Sequence, residues 1–328
     1  MAKTLSLQKK IYFLNFMISR RFIRIKIFQL LFSKISSESG SISAAETELL
    51  HSFEKTKDLY FLLFSLPLAL QQAALAKIEA GLQKFHPTPE EAQPNRRFVD
   101  NACVQAIADD KARQAYVEKR GLHWVENGLF VRKLLADIQT RPYYQEYMAL
   151  PETDYEKDKT LLATIFETEL EDHEVLYELL EDKSLYWADD LAYVLGLILQ
   201  RLSAHKEGCD FAHPSLFKNL EDKRYALSLL GHAMLHYEEY LDMIRQSVIN
   251  WEVDRIATTD IALIVLGISE VLSCPTIPVK VSINEMVELS KYYSTPNSKV
   301  FVNGLLDKII QALKAEGKVK KEGRGLVE

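Results

Sequence analysis

The sequence predicts an all-α protein, and three observations support this prediction. The 328 residues include only 12 glycines and 10 prolines, so long stretches lack the residues that interrupt helices. Apolar residues recur at the spacing of amphipathic helices along most of the chain. Hydrophobic residues make up 48% of the composition, which supplies enough apolar surface for one large domain or two smaller ones.

The predicted helices are separated by short breaks. The first amphipathic stretch covers Phe53–Ala80 and is read as one or two helices with a break near Pro67. Residues 86–96, HPTPEEAQPNR, contain three prolines and predict a loop or linker. A second break is predicted at 209–215. The remaining helices are predicted at about 97–120, 127–139, 159–181, 186–206, 217–249, 254–273, 278–293 and 299–315.

The last predicted helix and the residues after it differ in character. Gly304 lies in mid-helix, where glycine costs about 1 kcal/mol relative to alanine, and it therefore predicts close packing against a neighbouring helix. Residues 314–328 combine glycine with many charges and are predicted to form a disordered tail.

Charge is distributed unevenly in a chain whose formal net charge is -6. Residues 1–34 contain eight Lys and Arg and no acid, whereas residues 167–182 contain eight acids and no Lys or Arg. The net charge argues against binding nucleic acid through the field of the whole molecule. A local basic patch remains effective, because screening limits electrostatic interactions to roughly 8–10 Å.

The cysteines indicate a reducing compartment. Cys103, Cys209 and Cys274 lie far apart and form no CxxC pair, so they predict neither a disulfide framework nor a zinc site. We therefore expect a cytoplasmic protein.

No membrane span or secretion signal is predicted. The apolar run LYFLLFSLPLAL at 59–70 is shorter than the roughly 20 residues of a membrane span and contains a proline. The run KKIYFLNFMI near the start is followed directly by Arg20 and Arg21, without the small residues of a signal-peptide cleavage site. Met17 opens the segment MISRRFIRIK, which is typical of a protein start, so residues before it are interpreted as an extension without a structural role.

The C-terminal third carries the most specific pattern in the chain. It contains the helix VKVSINEMVELSKYY, the turn STPNS and the helix KVFVNGLLDKI. Together with the opening segment RRFIRIKIFQLLF, this pattern closely resembles the NusB family of transcription antitermination factors. Residues 20–33 and 217–313 cover the usual length of that family. Residues 34–216 are therefore predicted to be a large helical insertion after the first helix, and residues 1–19 an N-terminal extension.

The resemblance implies an all-helical fold of two small bundles and a role in transcription. Members of the family bind the boxA element of ribosomal RNA operon leaders together with NusE, the ribosomal protein S-ten. That pair joins complexes in which RNA polymerase resists termination. The resemblance also implies that the first helix and the start of the last helix line the RNA surface.

The first helix has a basic side that suits this expectation. At about 100° per residue, Arg20, Arg21 and Arg24 fall within an arc of about 100°, and Lys26 points to the far side. Arginine forks onto phosphates and stacks on unpaired bases. A solvated basic helix start, or an anchor into the acidic residues 167–182, accounts for the same pattern.

The start of the last helix offers a second group of candidates. Asn297 or Ser298 is predicted to cap the helix and to leave its first N–H groups available for phosphate. Lys299 adds charge, and Phe301 is predicted either to stack on a base or to pack in the core. The predicted RNA-binding residues are Arg20, Arg21, Arg24, Gln29, Asn297, Ser298, Lys299 and Phe301.

A protein-binding face is predicted on the segment HYEEYLDMI. Glu238, Glu239 and Asp242 are acids that would attract a basic ribosomal protein, although a solvated helix face explains them equally well. Other residues of the C-terminal third are expected to be structural, namely Trp251, Asp254, Asp260 and Glu270.

The insertion shows a faint echo of the C-terminal region. Trp187 and Asp190 match Trp251 and Asp254 at an offset of 64 residues. A degenerate repeat and chance agreement both explain this pattern.

No catalytic, cofactor or metal site is predicted. His232 and His236 are four residues apart but lack an HExxH pattern and a third ligand. The acidic residues 167–182, with His173, lack the Glu-x-x-His pairs of di-iron bundles.

Alternatives to RNA binding stay open. One is a helical protein-interaction scaffold of the same fold that has lost direct RNA binding. Another is an enzyme built within the insertion. A homodimer that hides the RNA surface also stays open.

Overall fold

The structure is a computed structural model that describes residues 18–37, 41–248 and 256–326. Within these ranges the chain forms sixteen α-helices and no β-strand, which confirms the all-α prediction. Short 3₁₀-helices occur at Val125–Asn127, Ala188–Asp190 and Gly323–Leu326. The helices are α1 (Arg20–Ser37), α2 (Ile42–Phe64), α3 (Leu66–Leu82), α4 (Pro89–Ala92), α5 (Ala102–Asp109), α6 (Lys111–Arg120), α7 (Gly128–Thr140), α8 (Pro142–Ala149), α9 (Tyr155–Thr168), α10 (Glu174–Lys183), α11 (Leu191–Ala204), α12 (Leu220–Leu235), α13 (Tyr237–Ser247), α14 (Thr258–Ser273), α15 (Val279–Tyr293) and α16 (Ser298–Ala315).

The chain divides into two compact units. The terminal unit consists of the described residues within 16–53 and 215–328, and the central unit consists of residues 54–214. The boundary near residue 53 falls inside α2. The predicted start at Met17, together with Trp251 and Asp254, lies outside the described residues, so the repeat and the predicted domain bounds stay predictions.

The core of the terminal unit is built around α14. This helix is apolar through most of its length, and its residues from Ala262 to Val271 are all buried. A helix that is apolar on all sides has to be enclosed, and α14 packs against α1, α12, α15 and α16.

A glycine of α14 permits this close packing. A Cβ atom added at Gly267 would lie 2.9 Å from Leu306 Cδ2 and 3.0 Å from Met286 Cγ, which are side chains of α16 and α15. Gly304 has no heavy atom within 4 Å of the corresponding position. The prediction of close packing at Gly304 was therefore wrong, because that residue faces outward and Gly267 makes the contact.

The central unit is held together by buried faces of several shorter helices. Helix α9 packs against α11 and α5, and α3 packs against α7 and α5. Asp154 caps α9 by accepting a hydrogen bond from Lys157 N at 2.8 Å. Asp110 caps α6 by accepting hydrogen bonds from the N–H groups of Ala112 (3.0 Å) and Arg113 (3.1 Å).

Helices α2 and α3 together form an apolar stretch, Ile42–Leu82, that is long enough to cross a membrane by length and composition. The prediction of no spanning segment rests on residues 59–70 alone, whereas the apolar helices extend beyond that run. In the structure, 61% of the most apolar window is buried inside the protein. Leu63 and Phe64, for example, are fully buried. Core helices of globular proteins pack in this way.

The tail is ordered over its described part, contrary to the prediction of disorder. Helix α16 extends to Ala315, and Glu322 N donates a hydrogen bond to Pro275 O at 3.0 Å. Lys321 Nζ donates to Cys274 O at 3.0 Å. Gly325 packs so closely that an added Cβ would lie 1.9 Å from Pro275 O. These backbone contacts offset the low apolar content on which the prediction rested.

We predict opposite effects of substitutions at the two mid-helix glycines. Gly267→Val overpacks the contact with Leu306 and Met286 and should reduce the free energy of unfolding by about 1–3 kcal/mol. Gly304→Ala fills open space at an exposed helical site and should raise that free energy by up to about 1 kcal/mol. Urea denaturation followed by circular dichroism measures both effects. Equal effects of the two changes would contradict the packing described for α14.

Candidate nucleic-acid interface

Helix α1 is half-buried at its first two residues, mostly buried from Phe22 to Leu31, and exposed at Phe32 and Ser33. Ile18 N donates to Leu216 O at 2.9 Å and fixes the entry to the helix. Phe22 N donates to Ser19 Oγ at 3.2 Å, which satisfies one of the N–H groups left open at a helix start. Helix α1 contains basic residues and no acid.

Arg20 and Arg21 are partly exposed and pair with acids of neighbouring helices. Arg20 Nε donates to Asp222 Oδ1 at 3.0 Å, and its guanidinium lies 5.1 Å from the ring centroid of Tyr225. Arg21 makes a two-pronged contact with Glu285, with Nε–Oε2 2.9 Å and Nη2–Oε1 2.6 Å. Each arginine side chain is 37% exposed. Both guanidinium groups therefore remain accessible from solvent.

Arg24 is buried, with only 4% of its surface exposed. Its Nε donates to Glu270 Oε1 at 2.8 Å, and its Nη1 lies 3.5 Å from Glu285 Oε2. Tyr225 OH donates to the same oxygen of Glu270. This corrects the expectation that all three arginines are presented on one exposed side, because α1 turns that side toward α14 after its first turn. The expectation that Glu270 is structural agrees with this geometry.

Burial and neighbouring charges together set the pKa values of the groups around Arg24. Burial lowers the pKa of Arg24, but its interactions with Tyr225, Glu270 and Glu285 raise that pKa overall. Burial raises the pKa of Glu285, but the hydrogen bond from Arg21 and the charges of Arg24 and Arg21 lower that pKa overall. Burial, together with Glu270, raises the pKa of Tyr225. The two arginines and Glu285 therefore stay charged near neutral pH.

Lys26 was expected on the far side of α1 and is also buried, at 2% exposure. Its Nζ lies 5.4 Å from the ring centroid of Phe22. Gln29, one helical turn further on, is half-buried.

Aromatic rings connect the second half of α1 with the residues before the last helix. The ring centroids of Phe28 and Tyr293 are 5.0 Å apart, and those of Phe28 and Phe32 are 6.4 Å apart. Tyr293 ends α15 and directly precedes the turn into α16. The second half of α1 therefore lies beside that turn, on the same side of the terminal unit.

The candidates at the start of α16 differ in exposure. Asn297 and Lys299 are exposed, Phe301 is half-buried, and Ser298 is 2% exposed. Ser298 Oγ donates to Asp260 Oδ2 at 2.8 Å, in a cluster that includes Ser294 Oγ at 2.9 Å.

The predicted cap does not form at α16. Asn297 occupies the cap position with helical backbone angles, and its side chain makes no capping hydrogen bond. Ser298 is turned inward to Asp260, an acid that was expected to be structural.

The acidic candidates lie on one exposed face of α13. Glu238, Glu239 and Asp242 are all exposed. Glu239 Oε2 lies 2.9 Å from His236 Nδ1, and Asp242 Oδ1 accepts from Arg245 Nη1 at 2.8 Å. The face is compatible with a basic partner and with a solvated helix.

The residues considered as metal ligands have other contacts. His236 pairs with Glu239, and His232 Nδ1 lies 3.3 Å from Tyr240 OH. Among the residues that the structure describes, no group of three or more His, Cys, Asp or Glu is placed to hold a metal ion.

The sequence analysis identified the arginines of α1 but not the acids that pair with them. Asp222 and Glu285 were not singled out from the sequence, although each is partly or fully buried in the structure. A buried acid needs a cation or hydrogen-bond donor nearby, and these acids lie on amphipathic helices beside apolar residues. The position of an acid beside apolar residues therefore predicts that it has a partner, but it does not show which arginine is that partner.

Comparison with known proteins agrees with the C-terminal pattern. A family model described as the NusB family matches residues 162–311. Residues 162–311 are therefore similar to the NusB family. The matched range starts within α9, so it includes residues 162–216, which the sequence analysis placed in the insertion.

Three relatives match part of this chain, and each carries the name Transcription antitermination protein NusB. The protein of Salinibacter ruber is 39% identical over 103 residues, which cover 31% of this chain and 64% of the relative. The protein of Chloroherpeton thalassium is 36% identical over 110 residues, covering 34% of this chain and 52% of the relative. The protein of Methylacidiphilum infernorum is 42% identical over 91 residues, covering 28% and 64%. The chain thus spans less than two thirds of each relative, and no solved structure matches it.

We predict that breaking the buried pair destabilises the terminal unit. Arg24→Met and Glu270→Gln should each lower the free energy of unfolding by roughly 3–5 kcal/mol, because each leaves a buried polar partner without its counterpart. The double variant should lose less than the sum of the single losses. Urea denaturation of the four proteins measures the coupling. Additive losses would show that the two side chains do not stabilise each other.

We also predict an acid-dependent loss of stability at Glu285. The pKa of this residue is lower in the folded protein than its ordinary value of 4.5, so its ion pairs stabilise the fold above that pH. This stabilisation disappears as the pH falls through the folded-state pKa. The difference in free energy of unfolding between wild type and Glu285→Gln should therefore shrink between pH 7 and pH 3. A difference that stays constant over this range would contradict the assignment.

Proposed function

We propose that this protein is a non-enzymatic transcription antitermination factor that binds boxA-like single-stranded RNA together with NusE, the ribosomal protein S-ten. The observation that carries the proposal is the match of residues 162–311 to the NusB family, together with a helix α1 that contains basic residues and no acid and whose second half lies beside the turn into α16. The named relatives are antitermination proteins, which supports the same role. The protein would act in the cytoplasm, within RNA polymerase complexes that transcribe ribosomal RNA operons.

The proposed RNA contacts are made by the solvent-accessible candidate residues of α1 and α16. Arg20 and Arg21 offer guanidinium groups at the start of α1, and Lys299 adds a charge at the start of α16. Phe301 is half-buried and is proposed to contact a base through the exposed part of its side chain. Arg24 supports the surface from inside the domain.

Phosphate has to compete with carboxylates for the two accessible arginines. Arg21 already makes two hydrogen bonds to Glu285, and Arg20 makes one to Asp222. A guanidinium has five N–H donors, so both arginines keep donors for an RNA phosphate while these contacts persist. The acids hold the side chains in place and reduce the positive field that RNA meets.

The exposed acids of α13 are proposed to contact NusE. Glu238, Glu239 and Asp242 form an acidic face on the terminal unit, and ribosomal proteins that bind RNA are basic. Contact with NusE would extend the surface available to RNA.

A protein-interaction scaffold without RNA binding is the second candidate. The ion pairing of Arg20, Arg21 and Arg24 favours it, because all three arginines already pair with carboxylates of the terminal unit.

We predict that RNA binding depends on Arg20 and Arg21 and on salt. The full chain should bind a boxA-like strand more tightly than a scrambled strand, and NusE should strengthen that binding. In Arg20→Gln/Arg21→Gln the affinity should fall at least about tenfold. The salt dependence should also weaken, by about 0.7 in the slope of log K against log salt for each phosphate that the variant no longer neutralises.

The matched control is Lys119→Gln/Lys133→Gln, which removes two exposed charges from the central unit. It should leave RNA binding unchanged, and circular dichroism should confirm that both double variants are folded. Fluorescence anisotropy across a salt series measures all three proteins. Absence of binding by wild type at every salt concentration would refute RNA binding and support the scaffold.

A further inference from the structure

A groove within the central unit has no role in the proposed function. It has a volume of about 970 Å³ and lies between α3, α6 and α7. Apolar side chains form most of its lining, including Leu68, Val117, Val131 and Leu135. Val125 stands at the rim and is 85% exposed. The volume is at the upper end of the range found for ligand sites.

The shape of the groove suits a helix. Helix α3 lines one wall with residues at helical spacing, and the small side chains of Ala69, Ala73 and Ala76 keep that wall low. Helix α7 lines the other wall from Gly128 to Gln139 at the same spacing. A trough between two helices accepts a ridge of side chains from a third helix. An amphipathic helix presents such an apolar ridge at positions i, i+3, i+4 and i+7.

Three cations line the groove without an acidic partner. Lys77 Nζ donates to the neutral Gln139 Oε1 at 2.6 Å. Arg113 is 7% exposed and donates to Ile107 O at 2.7 Å and to Ser65 Oγ at 3.3 Å. Arg132 is exposed, and its Nη1 lies 3.3 Å from the space that a Cβ would fill at Gly128.

This arrangement differs from the arginines of the terminal unit. None of these three cations has a carboxylate within 4.0 Å among the residues that the structure describes, whereas Arg20, Arg21 and Arg24 each do. The one acid in the described lining is Glu118. Burial lowers the pKa of Arg113, although the charge of Asp110 opposes that effect. An apolar trough with an excess of unpaired positive charge favours an apolar ligand that carries carboxylates.

We propose that the groove between α3, α6 and α7 is a docking site for an amphipathic helix of a partner protein that carries acidic residues beside its apolar face. The apolar side chains fill the trough over Ala73 and Val131. The carboxylates reach Lys77 at one end and Arg132 near the other. This site is independent of RNA binding, because all its residues belong to the central unit.

The test uses the full-length protein and a fluorescein-labelled helical peptide of 18 residues. The peptide carries leucine at i, i+3, i+4 and i+7 spacing and glutamate at the flanking positions. A second peptide replaces each glutamate with lysine, and a third replaces each leucine with serine. Fluorescence anisotropy should show micromolar binding of the glutamate peptide and at least about tenfold weaker binding of the other two.

Two variants of the protein test whether the peptides bind in the groove. Lys77→Glu/Arg132→Glu should reverse the preference, so that the lysine peptide binds more tightly than the glutamate peptide. Ala73→Trp should block both peptides by filling the trough. The matched control, Lys119→Glu/Lys133→Glu, makes the same change in net charge at exposed residues outside the lining and should keep the original preference.

Three results would overturn the proposal. Equal binding of the glutamate and lysine peptides would show that the cations do not select the ligand. Dimerisation in sedimentation equilibrium that Ala73→Trp abolishes would show that a second copy of this chain occupies the groove. Binding of dodecanoate without binding of any peptide would show a site for a small apolar carboxylate.

Discussion

The buried ion pair between Arg24 and Glu270 is the contact on which the terminal unit depends most. It joins α1, near the start of the chain, to α14, which lies 246 residues later and forms the centre of the core. Tyr225 of α12 donates to the same carboxylate, and Glu285 of α15 lies beside the arginine. The other oxygen of Glu270 is buried without a hydrogen-bond partner among the described residues, so the neighbouring cation compensates much of its charge. Four helices thus meet at one set of charges that is stable only when it is complete.

This network also shapes the proposed RNA surface. The helix that is fixed internally by Arg24 presents Arg20 and Arg21 one turn earlier, where both are partly exposed. Their acidic partners fix the positions of the guanidinium groups before RNA arrives, which reduces the entropy lost on binding. The same acids weaken the attraction for phosphate. The basic helix therefore has a structural part and an accessible part, and its excess of positive charge at the sequence level overstates the charge that RNA would meet.

Three cations of the central unit have different surroundings. Lys77, Arg113 and Arg132 line an apolar groove, and the hydrogen bonds of Lys77 and Arg113 go to neutral groups instead of carboxylates. In the terminal unit, comparable cations are neutralised by acids of adjacent helices. The contrast is confined to the groove, because other cations of the central unit pair with acids, as Arg120 does with Asp58 and Arg141 with Glu169. The proposed antitermination role rests on the arginines of the terminal unit, and the proposed helix-docking site rests on the cations of the groove.

The sequence by itself determined the helical class, most of the helices and the NusB-like C-terminal pattern. Apolar periodicity and the scarcity of glycine and proline are local properties, so they can be read from neighbouring residues. Only the tertiary structure decided that Arg24 and Ser298 point inward and that Gly267, not Gly304, permits close packing. Each of these outcomes depends on a side chain from a distant part of the chain. Helical spacing gives the direction of a side chain around its own helix, but it does not show which helix lies on that side.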